Sequence, residues 1–107
     1  MKVSCNSRII ADKVALADTF FTRFKGLMGK KSLVPGEGLL LLNCPSIHCF
    51  FMKIPIDAVY LSADCTVLGV EMLTPWQIGR FVKNTAYVLE LPAGEADVSV
   101  GDKLDIY

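Results

Sequence analysis

The sequence predicts a mainly β domain, a compact antiparallel sandwich or barrel with one short helix near residues 19–28. Three observations carry this. Short apolar stretches, several of them alternating, fill the chain from residue 35 onward, separated by Gly and Pro. A single stretch has helical spacing, and no strand–helix–strand alternation follows it. The apolar share, 52%, is too high for a disordered chain.

In chain order, "KVSC" and "SRIIADKVALA" read as one or two strands, partly β-branched. Phe20, Phe21, Phe24, Leu27 and Met28 then recur on one helical face. Asp18 and Thr19 suit the start of that helix, and Gly29 with Lys30 and Lys31 suits its end. Beyond Pro35 the expected strands are "GLLLLNC", "SIHCFFM", "IDAVYLS", "TVLGVEMLT", "AYVLELP" and "DKLDIY". They break at Pro45, Pro55, Asp64-Cys65, Pro75 and Pro92-Ala93-Gly94. The segment "WQIGRFVKN" is the longest irregular stretch, and loops of this kind carry binding residues.

The 107 residues have the size of one domain, 1–107. Eleven basic and eleven acidic residues cancel, leaving no global field for nucleic acid or an anionic membrane. Residues 1–31 nevertheless carry seven Lys/Arg against two Asp, and residues 32–107 carry four against nine Asp/Glu. Such halves are expected to pair with each other. No apolar run approaches the ~20 residues of a membrane span, and "MKVSCNSRII" has no secretory pattern. The expectation is therefore a cytoplasmic protein, with Cys5, Cys44, Cys49 and Cys65 as thiols.

Candidate chemistry centres on "CPSIHCFFMKIPIDAVYL". In a strand over 46–52, Ser46, His48, Phe50 and Met52 share one face, and Ile47, Cys49 and Phe51 share the other. Cys44 and His48, joined by the thioether of Met52, would form a soft donor set for copper, or for zinc without Met52. The spacing matches no paired Cys-x2-Cys motif, so a structural histidine beside a buried thiol is the competing reading. Asp57 shares a face with Val59 and Leu61, and a carboxylate among apolar neighbours must be paired or hydrogen-bonded. Lys53, Arg23 and Lys25 are its candidate ion-pair partners. On the loop after Pro75, Trp76 and Arg80 can line a pocket by stacking and hydrogen bonding. His48, Phe50, Met52, Asp57, Trp76 and Arg80 thus form the candidate ligand site.

Four blocks in order, "RFKGLMGKKSLVPGEGLLL", "SIHCFFMKIPIDAVYL", "LTPW" and "VLELPAG" followed by "VGDKL", resemble the bacterial and archaeal family catalogued as domain of unknown function 192. The resemblance runs from about the helix to the C-terminus. It implies a sandwich or barrel with jelly-roll character and a short helix. No activity is established for that family, so it supplies no catalytic residues and no cofactor. Against its usual pattern, Cys49 stands at a Thr position, Cys65 at a common Gly position and Lys25 at a common Arg position. A Cys-His-Cys cluster is thus not a family property. "FMKIPID" is shorter than the corresponding family segment, and the export signal of many relatives is not seen.

The sequence therefore points to a small binding module for an unidentified small ligand or protein partner. A soft-metal site on Cys44 and His48 is one alternative. An enzyme using His48 or Asp57 as acid or base is the other.

Overall fold

The computed structural model describes residues 1–17, 34–42, 55–74, 77 and 79–107. Among these, all regular structure is strand, in eight segments. They are β1 (Val3–Cys5), β2 (Arg8–Ala11), β3 (Lys13–Ala17), β4 (Glu37–Leu42), β5 (Ile56–Leu61), β6 (Val67–Leu73), β7 (Tyr87–Pro92) and β8 (Asp105–Ile106). The helix expected near 19–28 and the strand expected over 46–52 lie outside the described residues.

Two sheets form, one in the order β2-β1-β8 and one in the order β3-β4-β7-β5-β6. Pairing is antiparallel except between β3 and β4, which run parallel from Lys13↔Glu37 to Ala17↔Leu41. A parallel neighbour needs a connection of about a dozen residues or more, and residues 18–36 supply that length. Tight turns join β1 to β2 and β5 to β6. Asn6 and Ser7, between β1 and β2, and Cys65, between β5 and β6, take positive φ angles of 52°, 64° and 66°. Asn and Ser suit such turns by bonding locally.

One core cluster is shared by both sheets. Val3, Cys5, Ala11 and Leu104 meet Val14, Leu40, Val59, Leu61, Leu89 and Leu91 of the larger sheet. Each buried Val or Leu contributes about 1.5–3 kcal/mol relative to exposure. A second cluster covers the opposite face of the larger sheet, with Leu41, Ile56, Ala58, Tyr60, Leu73 and Val88. Strand β5 is buried along its whole length because both its faces are covered. Alternation on β5 and β7 thus assigns each side chain to one of two buried environments, and this decides where their polar residues end.

Two glycines permit the close packing. A Cβ on Gly38 would lie 2.8 Å from Leu91 Cδ2 and 2.9 Å from the Glu90 carbonyl oxygen. A Cβ on Gly69 would lie 2.7 Å from Arg80 Nη2, so the missing side chain is the seat of that guanidinium. The basic N-terminal and acidic C-terminal parts of the chain do meet. Arg8 donates to the Asp97 carbonyl at 2.7 Å and lies 3.5 Å from its carboxylate.

Candidate functional site

Four carboxyl groups on the larger sheet are held back from full exposure: Glu37 at the start of β4, and Asp57, Glu71 and Glu90. Strand β5 carries Asp57, and alternation places it with Val59 and Leu61 on the face toward the smaller sheet. Its Oδ2 accepts the Gly94 N–H at 2.9 Å and the Ala96 N–H at 3.1 Å. Asp57 therefore fastens the turn that follows β7, where Gly94 has φ of 86°. This is a hydrogen-bonded anchor. Its expected ion-pair partners Lys53, Arg23 and Lys25 lie outside the described residues.

The opposite face holds a different arrangement. Ala58 of β5 is the register partner of Glu71 on β6 and of Glu90 on β7. The two glutamates thus flank one alanine, about 9.5 Å apart between Cα atoms from the spacing of adjacent strands. Glu71 is well supplied with donors. Its Oε2 accepts the Tyr60 hydroxyl at 2.7 Å and the Arg80 backbone N–H at 3.1 Å, with Arg80 Nε at 3.6 Å. Arg80 is positioned twice, through its backbone on Glu71 and through its guanidinium over Gly69.

Glu90 is not supplied in this way. It is only 3% exposed, and its Oε1 meets no hydrogen-bond donor among the described residues. Its strand neighbours on this face are Leu39, Val88 and Ala58. Withdrawal from water without a compensating charge pushes its carboxyl up to about 8, against an ordinary 4.5. At neutral pH the group is therefore mostly protonated. An unpaired buried carboxylate is costly, and taking up a proton is the cheaper state.

A polar row results, running from surface to interior. Arg80, with its side chain 59% exposed, lies at one end, Glu71 with 23% comes next, and Glu90 is the buried end. Chemically the row offers one compensated carboxylate and one uncompensated carboxyl, with the fully buried Ala58 between them.

Of the residues singled out in the sequence, Arg80 belongs to this row, and Asp57 faces the other side of the sheet. His48, Phe50, Met52, Trp76 and Cys44 lie outside the described residues. Gln77 closes a local turn, accepting the Thr74 N–H at 2.6 Å and donating its own N–H to the Thr74 carbonyl at 3.2 Å. Cys5 and Cys65 are free thiols, and burial pushes both above their ordinary range, which makes them poor nucleophiles. Among the described residues no three His, Cys, Asp or Glu side chains gather as a metal set, and no helix is long and apolar enough to cross a membrane.

Sequence reading missed Glu71 and Glu90. The signal was present: Glu90 alternates with Val88 in "YVLELP", as Asp57 alternates with Val59 in "IDAVYL". Residues 2–106 match the family domain of unknown function 192, DUF192, described as "Uncharacterized ACR". A UPF0127 protein of Pyrococcus abyssi is 37% identical over 103 residues, covering 87% of this chain and 85% of that protein. A UPF0127 protein of Thermococcus sibiricus is 33% identical over 110 residues, covering 92% of this chain and 68% of that protein. A crystal structure from Novosphingobium aromaticivorans, of a protein of unknown function, superposes with a TM-score of 0.84 at 25% identity, over 98% of this chain and 82% of that one. A second, from Sinorhizobium meliloti and described as a putative transcription regulator, gives 0.75 at 28% identity, over 97% and 89%.

Proposed function

We propose that this chain, which belongs to the DUF192 family, is a small ligand-binding module whose site lies on the Glu90 face of the larger sheet. The observation that carries the reading is Glu90 itself, a carboxyl 3% exposed at the centre of a sheet with an oxygen unanswered among the described residues. An unmade hydrogen bond at a buried polar group costs about 1–3 kcal/mol. Such a cost calls for an explanation, and completion by a bound group is the one we propose. Arg80 and Glu71 form the accessible approach, and His48, Phe50, Met52 and Trp76 remain the sequence-based candidates for the rest of the site. Asp57 serves this site indirectly, by fixing the turn at the end of β7.

The description of the Sinorhizobium structure as a putative transcription regulator does not make DNA the favoured ligand here. Residues 32–107 carry four Lys/Arg against nine Asp/Glu, and phosphate contacts from basic side chains dominate DNA affinity.

The test is a thermal-shift survey of amines, acids, sugars and nucleotides on the wild-type chain and on Glu90→Gln. A ligand at a hundred times its Kd stabilises by about 2.7 kcal/mol, which raises Tm by roughly 10 °C or more in a domain of this size. The reading expects at least one compound with such a concentration-dependent rise, weakened in the variant. A survey in which nothing stabilises the wild type, or in which both proteins respond alike, refutes it.

A further inference from the structure

Resting on that reading for the face the ligand uses, we propose that Arg80 receives the acidic end of the ligand, the carboxylate of a small organic monoacid, held by both Nη groups. The argument starts from how the side chain is fixed. Glu71 Oε2 accepts the Arg80 backbone N–H at 3.1 Å and lies 3.6 Å from Arg80 Nε. That oxygen is itself held at 2.7 Å by the hydroxyl of Tyr60, a residue with no exposed surface. On its Nη2 side the guanidinium rests on Gly69, where a Cβ would meet Nη2 at 2.7 Å and Cζ at 3.7 Å. Backbone, Nε and Nη2 are thus each placed by a separate contact before any ligand arrives. Ordering a long side chain in advance removes part of the entropy that binding would otherwise cost.

The fork so placed is unused. Among the described residues, none of the guanidinium N–H groups of Arg80 makes a hydrogen bond, and its ion-pair contact runs from Nε to Glu71. The side chain is 59% exposed, so more than half of it is open to solvent. Arg8 shows the contrast. Its Nη2 donates to the Asp97 carbonyl at 2.7 Å and lies 3.5 Å from the Asp97 carboxylate. Arg8 is used in closing the chain on itself, whereas Arg80 is oriented and left with its donors facing outward. A planar guanidinium offering two parallel N–H bonds matches a carboxylate in the bidentate geometry that makes such pairs strong.

Charge and surface narrow the class. Glu71 already offsets the Arg80 charge, and residues 32–107 carry nine Asp/Glu against four Lys/Arg. A doubly charged phosphate therefore meets more repulsion here than a monoanion does. The next residue in the chain, Phe81, is 73% exposed and leaves an aromatic surface one position from the fork. A monocarboxylate with an aromatic body fits both features.

The experiment is an amide-resolved NMR titration of the full chain at pH 7 with benzoate, compared with benzyl alcohol, benzylammonium and inorganic phosphate. The expected result is saturable shifts at Gly69, Glu71, Arg80 and Phe81 with benzoate, at lower concentration than with any of the other three. Affinity for benzoate should fall about tenfold or more in Arg80→Lys, which keeps the charge and loses the fork. It should fall as well in Gly69→Ala, which keeps Arg80 and displaces its guanidinium. Unchanged affinity in Arg80→Lys overturns the bidentate assignment. Equal or tighter binding of benzyl alcohol or benzylammonium overturns the acidic class, and a preference for phosphate overturns the monocarboxylate. These residues unmoved by all four probes overturn the proposal outright, while the compound survey against Glu90→Gln separately decides the binding-module reading. Should Gly69→Ala fail to fold, Arg80→Lys decides, since that substitution falls on an exposed side chain.

Discussion

Replacing Glu90 by Gln keeps the size and removes the titration, so the pair of proteins isolates one proton. Burial raises the folded-state value to about 8 from an ordinary 4.5. The sign follows from proton counts. Between these values the folded chain holds the Glu90 proton and the unfolded chain has lost it, so stability falls as pH rises. The contribution is fully present below pH 4.5 and fully lost above about 8. That interval, at about 1.4 kcal/mol per pH unit, amounts to roughly 5 kcal/mol. It is a large share of the 5–15 kcal/mol typical of a domain. From pH 5 to pH 7 alone the wild type should lose about 2.7 kcal/mol that Glu90→Gln does not lose.

Urea unfolding of both proteins at pH 5, 6, 7 and 8 measures this, because every other group titrates alike in the two and cancels in the difference. The stability of the variant minus that of the wild type should climb by about 1.4 kcal/mol per pH unit and level off above pH 8. A carboxyl-carbon NMR titration of the folded wild type gives an independent midpoint. A stability difference that stays flat from pH 5 to pH 7.5, with a midpoint in the ordinary carboxylate range, would show that Glu90 is ionised in the fold. The reasoning about its uncompensated burial would then be refuted.

Two further substitutions probe the frame around the row. Asp57→Ala removes the acceptor of the Gly94 and Ala96 N–H groups. Hydrogen bonds to a charged group are worth about 1.5–3 kcal/mol each; we expect a loss of roughly 3 kcal/mol, with hydrogen exchange accelerated at Gly94 and Ala96, and unchanged exchange there would contradict the anchor role. Gly38→Ala drives a Cβ against Leu91 Cδ2 and the Glu90 carbonyl, and overpacking of this kind costs about 1–3 kcal/mol. A Gly38→Ala chain as stable as wild type in urea would show that β4 and β7 yield more easily than their spacing implies.

The strands were legible because Gly, Pro and Asp-Cys punctuation bounded stretches rich in strand-forming residues. "IDAVYLS" became Ile56–Leu61, "TVLGVEMLT" became Val67–Leu73 and "AYVLELP" became Tyr87–Pro92. The parallel β3–β4 pairing was not legible. It depends on which distant strands meet, and a parallel pair leaves no local turn signature. The shift of register between Tyr60 and Leu61, opposite Gly69 and Val67, was equally hidden, since a bulge follows from packing across two strands. Asp57 was legible as a carboxylate that must find partners. That those partners are the N–H groups of Gly94 and Ala96 was not, because they lie 37 and 39 residues away along the chain.

Asp57 and Glu90 together mark the step from sequence to function. Both are acids set within apolar strands, and they sit on neighbouring strands one register position apart, Asp57 opposite Leu91 and Ala58 opposite Glu90. Alternation sends them to opposite faces of the sheet. On one face, the turn after β7 folds back and gives Asp57 two N–H donors, so that acid is consumed by the architecture. On the other face, Glu90 stands among Leu39, Ala58 and Val88, and its Oε1 is left without a donor among the described residues. Composition and periodicity treat the two alike. The difference lies in whether the fold itself supplies a partner, and an acid left without one is the more informative guide to a site.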